Sequence, residues 1–337
     1  MPQYYPFKGY SVNKTTPSRP PICHKRIMAL QKSLQGSKVR TMKRPSKTAK
    51  RILVAMAVIV AAMAAATGTF LLTARRFVVV SDAAWSLVMP KREFSRMRFA
   101  LASKWYRLII LQPDASVFAD SQSLESFMYD LNDEVGDGVV LLGPLASSKV
   151  VEYNVETSSI LEDAAVYGIY GEGSALFDAT LIPNPESGWM SAATEMAKKA
   201  SSMSQNIAIV SDSKGSVYNE TIKSQFKTGM VNEYVNEDAS RLFVSNTIQE
   251  MNRLGIVIGM CPHLEGFYNV FDMDDTISWI VDYRYSTIVP SKQLYGTVLP
   301  DLSGLAKTIP LEKETFRAET AETVDRTFEL EFKYDGK

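Results

Sequence analysis

The chain has 337 residues, long enough for about two domains, and a net charge of zero that conceals a strong asymmetry. Residues 1 to 76 hold 15 Lys and Arg and no acid, the first carboxylate being Asp82, whereas the remainder carries 22 basic and 37 acidic residues, a balance of −15. This composition excludes wholesale disorder. The acidic remainder also argues against a nucleic-acid partner for the body of the chain.

Residues 1–51 are rich in Pro, Ser, Thr and Lys and read as a basic, flexible tail. They run into Ile52 to Ala74, 23 consecutive uncharged residues. As a helix this run spans roughly 34 Å at about 1.5 Å per residue, enough for a bilayer core of about 30 Å. Thirteen Lys and Arg precede it and only Arg75 and Arg76 follow closely. The positive-inside bias therefore predicts a single-pass cell-membrane protein with a cytoplasmic N-terminus and an extracytoplasmic C-terminal domain. A signal peptide starting at Met42, with small Ala64 and Ala66 before Thr67, fits the same residues. Both readings export the domain. The two cysteines, Cys23 and Cys261, fall on opposite sides of the apolar run, so no structural disulfide is expected.

From Arg76 short apolar runs alternate with amphipathic segments, the pattern of parallel sheets covered by helices on both faces. Strands are expected at 77–82, 107–111, 138–143 and 165–171. Helices are expected from Pro90 to Tyr106, with Trp105 on the apolar face, and from Ser123 to Val135. After the PNPESG connector (183–188) the pattern restarts: a helix over 189–201, a strand over 206–212, a helix from Val217 to Val231, a helix from Ala239 to Leu254, a strand over 255–260, a helix from Leu264 to Phe271, and a strand over 276–282. The fold class is thus α/β, two Rossmann-like lobes with parallel sheets joined by hinge crossovers and preceded by one transmembrane helix. The segments are 1–51 (tail), 52–74 (membrane helix or signal peptide), 75–184 (first lobe), 185–290 (second lobe) and 291–337 (crossover and completion of both lobes).

Ligands of open α/β sheets sit outside the carboxyl ends of the strands. The loops there nominate Asp82, Trp85 and Ser86 after the first strand, Gly143 after the third and Glu172 after the fourth. In the second lobe they nominate Asp212, His263, and Asp282 with Tyr283. Carboxylates accept from hydroxyl groups and aromatic faces cover ring surfaces, which suits a sugar or nucleoside. An Asp that follows a strand is also a natural helix cap, so each of these carries a structural reading as well. His24 and His263 are the only histidines, which excludes a histidine-rich metal site. DMDD (272–275) lacks the glycine and glutamate of a calcium loop, and SDSKGS (211–216) lacks the second glycine of a phosphate loop. No cofactor, no metal and no enzymatic activity are expected.

The segment WIVDYRYSTIVPSKQLYGTVLPDLSGLAKTI (279–309) resembles the closing segment of the type I periplasmic binding protein superfamily, shared with LacI-like ligand cores. The matching elements are Asp282 at a strand end, Thr297 with Val298, and Gly304 with Ala306. DGVVLLGP (137–144) and NIAIVSD before FKTGM (226–230) are similar to earlier elements of the same plan. Phe226 stands where that family usually has an Arg, and no helix-turn-helix precedes the domain. The resemblance implies that Asp282 holds ligand hydroxyls, with Asp82 and Trp85 facing it from the first lobe. It further implies hinges near Pro183 to Gly188, Tyr285 to Pro290 and Pro300. The function it implies is capture of a small polar solute, a sugar or nucleoside, at the membrane. The solute would be passed to an ABC permease or a sensory partner. The alternative is an envelope sensory or interaction module that no longer binds a small ligand.

Overall fold

The structure is a computed structural model that describes residues 47–203, 206–211, 215–225, 230–235, 256–261, 277–311 and 326–336. The expected helices Ala239 to Leu254 and Leu264 to Phe271 lie outside these residues. The chain divides into two compact units, Met1–Ala65 and Ala66–Lys337. Helix α1 (Lys47–Thr73) begins in the first and ends in the second. Its stretch Val54–Thr73 is 20 residues long and apolar enough to cross a bilayer, a property signal sequences share.

In the second unit, strand β1 (Arg75–Val80) follows α1 after a single residue. It leads into the short helix α2 (Ala83–Val88) and then α3 (Lys91–Ala102). Strand β2 (Tyr106–Leu111), helix α4 (Ser121–Val135), strand β3 (Val139–Leu142), helices α5 (Pro144–Tyr153) and α6 (Thr157–Ile160), and strands β4 (Ala165–Ile169) and β5 (Ala179–Asn184) complete the first half. The second half contains α7 (Glu186–Met203), β6 (Asn206–Ser211), α8 (Asn219–Gln225), β7 (Met230–Val235), β8 (Ile256–Cys261), β9 (Ile277–Asp282) and β10 (Leu294–Pro300). Helix α9 (Leu302–Thr308) and strand β11 (Thr327–Gly336) follow.

The sheet order is β2-β1-β3-β4-β5-β11-β10-β9-β8-β6-β7. Within each half the five strands therefore lie in the spatial order 2-1-3-4-5, all parallel, the doubly wound arrangement. These are the two Rossmann-like lobes expected from the alternating pattern. Phe77 to Val80 are all fully buried because both faces are covered. Phe77 and Val79 join the core beneath α3, α7 and α9, while Val78 and Val80 join the core beneath α4 and α5. Helix α4 buries Leu124, Met128, Leu131 and Val135 at three- and four-residue spacing, is capped by Asp120, which accepts from the Ser123 N–H at 2.7 Å, and ends on Gly136 at φ +60°.

Strand β11 joins the lobes. Thr327–Glu331 pair parallel with β5, and Phe332–Gly336 pair antiparallel with β10. The chain crosses between lobes here, again between β5 and α7, and a third time between β10 and α9, which packs back on α3. The crossings are stitched together: Asp301 N–H donates to Glu331 O at 2.8 Å and the Ser187 hydroxyl to Phe332 O at 3.0 Å. Gly188 is required beside them, since a Cβ there would stand 2.6 Å from Val298 Cγ1.

Three sequence expectations change. The helix expected to run to Tyr106 stops at Ala102, because Trp105 takes φ +62° in a turn. Its ring instead meets Phe70 edge-on at 5.2 Å and its indole N–H reaches the Thr73 hydroxyl at 3.1 Å. The helix expected over Val217 to Val231 is a 3-10 turn (Gly215–Tyr218) and α8, which ends at Gln225; Met230–Val235 is the edge strand β7. The residues read as a plain connector at 183–184 end strand β5, which the ladder with β11 holds extended through Pro183.

Candidate functional site

In both lobes the strand order reverses next to the first strand, between β1 and β3 and between β6 and β8, and crevices open at the carboxyl ends of such strands. A pocket of about 360 Å³ lies at this level. The first lobe contributes Trp85, Pro144, Ile169, Tyr170 and Gly171, and the second Asp282, Tyr283 and Arg284. Its floor is built from the crossings themselves: Pro183, Pro185, Pro300, Leu330 and Phe332.

Trp85 is placed by Asp82. That carboxylate caps α2, accepting from the Trp85 N–H at 2.9 Å, and is 6% exposed. Gly143, whose N–H donates to Val80 O at 2.8 Å, has no side chain because a Cβ would stand 2.8 Å from that oxygen and 3.1 Å from the Trp85 ring. The indole is 4% exposed and packs edge-on against Phe94 at 6.1 Å. Its N–H is buried and makes no well-formed hydrogen bond, although it lies near enough to the Tyr283 hydroxyl to favour the phenolate slightly.

Across the pocket, Asp282 ends β9 and caps the 3-10 turn Tyr283–Tyr285. Its Oδ1 accepts from the Arg284 N–H at 3.0 Å and Nε at 2.7 Å, and Oδ2 accepts from Nη2 at 3.2 Å. Asp282 is 5% exposed, so this bidentate pair neutralises a carboxylate that could not stand alone there. Tyr283 packs against Phe332 at 6.1 Å. Burial, followed by the Asp282 charge, pushes its hydroxyl up to about 12, against the weaker pull of Arg284 and Trp85. It stays protonated at any physiological pH.

Of the nine residues nominated from sequence, Trp85, Asp282 and Tyr283 line the pocket together. Asp82 and Gly143 stand directly behind Trp85, and Glu172 is exposed beside the lining Gly171. Ser86 faces Ser81, their hydroxyls 2.5 Å apart. Asp212 and His263 lie outside the described residues. Sequence reasoning missed Arg284, although it stands two residues after Asp282, a spacing at which a side chain can turn back on the carboxylate that caps the same turn. The proline-rich floor was named only as hinges, near Pro183 to Gly188 and Pro300, and not as part of the pocket wall. Among the described residues, no group of three or more His, Cys, Asp or Glu could hold a metal.

No protein-family model matches the chain, and no curated protein does. Solved structures are similar to the chain at low identity. A sugar-binding protein of a sugar ABC transporter from Bacillus halodurans is 11% identical, with a TM-score of 0.44 over 78% of this chain and 97% of the other. An ABC-transporter solute-binding protein from Conexibacter woesei is 13% identical, with a TM-score of 0.43 over 77% and 85%. A LacI transcriptional regulator from Lactobacillus brevis is 13% identical, with a TM-score of 0.33 over 77% and 99%. Their names describe a sugar-binding protein, a solute-binding protein and a LacI transcriptional regulator. At such scores the likeness decides neither ligand nor partner.

Proposed function

We propose that the chain is a binding protein, not an enzyme, that captures a small organic solute between its two lobes at the outer face of a membrane, for uptake or sensing. The observation that supports this most is the pocket's position: it opens at the carboxyl ends of the strands, and its floor is made of the segments that join the lobes. A solute seated there would touch both lobes and the hinge at once, and so would favour one relative position of the lobes over others. On this proposal the lobes are 75–184 and 185–290, with 291–337 supplying the last crossings. The membrane helix, its orientation and an ABC permease or sensory partner belong to the same proposal and rest on the basic tail and the apolar run. The sugar-transporter names of the similar structures agree with solute capture.

The test uses the full chain in lipid nanodiscs. Melting is followed with a library of sugars, nucleosides, amino acids and aromatic ketones, for wild type and Gly171→Trp. Gly171 lines the pocket, and a Cβ on it would meet nothing within 4 Å, so the backbone there admits a side chain. A ligand-induced rise in Tm in wild type that the substitution abolishes supports capture. No rise with any compound overturns it and leaves the interaction module, which the Asp282–Arg284 pair favours by occupying the carboxylate a sugar would need.

A further inference from the structure

Resting on the membrane helix of that reading and not on the pocket, we propose that the folded domain itself docks on the phospholipid surface, with the Trp105 side chain set in the bilayer interface. The helix end fixes the depth. Val54–Thr73 is 20 residues long, about 30 Å as a helix, which matches the hydrocarbon thickness of a bilayer. Its last turn, Phe70 to Thr73, therefore reaches the headgroup boundary. Ala74 alone separates that turn from β1, so a side chain packed against the turn stands at the same depth.

Trp105 packs there. Its ring meets the Phe70 ring edge-on at 5.2 Å, and its N–H donates to the Thr73 hydroxyl at 3.1 Å. The indole body is thus beside Phe70 and its polar edge beside Thr73, nearer the end of the helix. Tryptophan sits at membrane surfaces in that sense, with the ring toward hydrocarbon and the N–H toward the headgroups. Trp85, Trp189 and Trp279 are buried, whereas Trp105 is 49% exposed. It holds this place at φ +62°, a backbone conformation that bulky side chains rarely adopt. Against lipid, the exposed half of the ring leaves water.

The neighbouring chain has the composition of a phospholipid-facing surface. Residues 94 to 113 include Arg96, Arg98, Lys104 and Arg107 and no carboxylate, in a domain that is otherwise strongly acidic. Cations there are attracted to lipid phosphate. Arg107 Nη1 lies 3.5 Å from Leu71 O, which brings its guanidinium to the last turn of the helix, and Phe99 on the last turn of α3 is 78% exposed.

The test uses the full chain in vesicles of phosphatidylcholine and phosphatidylglycerol, with the phosphatidylcholine brominated near the top of its acyl chains. Bromine quenches a tryptophan only at close range, and acrylamide quenches one that water reaches. Bromolipid should remove part of the wild-type emission, and acrylamide should remove little. Trp105→Phe, which keeps an aromatic ring against Phe70, should abolish the bromolipid effect. A purely structural role for Trp105 predicts the opposite pattern, quenching by acrylamide and none by bromolipid, and that result would overturn the proposal. So would bromolipid quenching that survives Trp105→Phe. The wild-type comparison decides without the variant, because the other three tryptophans are buried. Retention of the full-length chain by the vesicles through an alkaline wash reports the membrane helix separately. A retained chain with no bromolipid quenching overturns the docking alone; a chain released by the wash overturns the membrane helix and the docking together.

Discussion

Asp282 illustrates how one residue can answer a functional and a structural description at once. Its carboxylate borders the pocket, as the resemblance at residues 279–309 implies, yet it accepts three hydrogen bonds from Arg284 and is 5% exposed. Asp282→Ala should therefore lower stability by about 1 to 2 kcal/mol, discounted because the Arg284 side chain is more than half exposed, and should lower Tm by roughly 2 to 6 °C. Asp282→Asn should recover part of this. Thermal unfolding of the two variants checks it; an unchanged Tm in Asp282→Ala would show that the Arg284 pair contributes nothing. Tyr283 gives a second expectation. Burial raises its folded pKa to about 12 from 10, so the folded state keeps a proton that the unfolded chain gives up. Stability from this group is fully present below pH 10 and is lost as pH rises through 12. Tyr283→Phe should flatten the fall in Tm between pH 10 and 12 without abolishing it, because Tyr167 and Tyr334 are also raised by burial.

At the scale of elements, β11 joins the lobes with charge as well as backbone. Lys333 Nζ lies 2.6 Å from Glu93 Oε2 on α3 and 2.8 Å from Asp301 Oδ1 at the cap of α9, and Glu93, whose side chain is fully buried, also receives Arg96 at 2.7 Å. Lys333→Met leaves two carboxylates short of a cation, one of them buried, and should cost about 3 kcal/mol. Adding Glu93→Met should restore most of that loss. Chemical denaturation of both variants decides; equal stability of the single and double substitutions would show that the ion pair is uncoupled. This strand also marks the limit of what the sequence discloses. Buried parallel strands such as FVVV and VVLL are continuous apolar runs and read directly from the chain, as do α4 and its cap. TFELEFKYDG carries four charged residues among its ten, so it looks like a surface segment. Its charges are met only by groups distant in sequence: Asn184 for Glu329, Ser187 for Glu331 and Glu93 for Lys333. The pocket shows the same division. Strand-end residues Trp85, Asp282 and Tyr283 follow from local rules, whereas Pro300, Leu330 and Phe332 reach it only through the crossings, which no local rule locates.

At the scale of the whole molecule, the charge asymmetry and the apolar run make a joint prediction about topology. The tail before the run is basic and the domain after it is acidic. A chain inserted the other way would have to carry 13 Lys and Arg across the bilayer instead of an acidic domain in which translocation is largely indifferent to charge. Helix α1 leaves only Ala74 between its last turn and β1, so an uncleaved chain holds the first strand close to the end of the apolar segment with no spacer. Two measurements follow. In intact cells or spheroplasts, protease added outside should degrade an epitope at the C-terminus and spare one at residue 1. Intact mass of the membrane fraction should then show the full chain. Protection of the C-terminal epitope would overturn the orientation, and a soluble form beginning at Thr67 would show that the apolar run is a signal peptide. The folded domain distinguishes the second outcome further, because cleavage at Thr67 would strip α1 of all but its final seven residues, Thr67 to Thr73, while leaving Phe70 and Thr73 to hold Trp105. Trp105→Ala should therefore lower Tm by a similar small amount in the anchored and the cleaved form, since its partners lie on the same side of the cut in both.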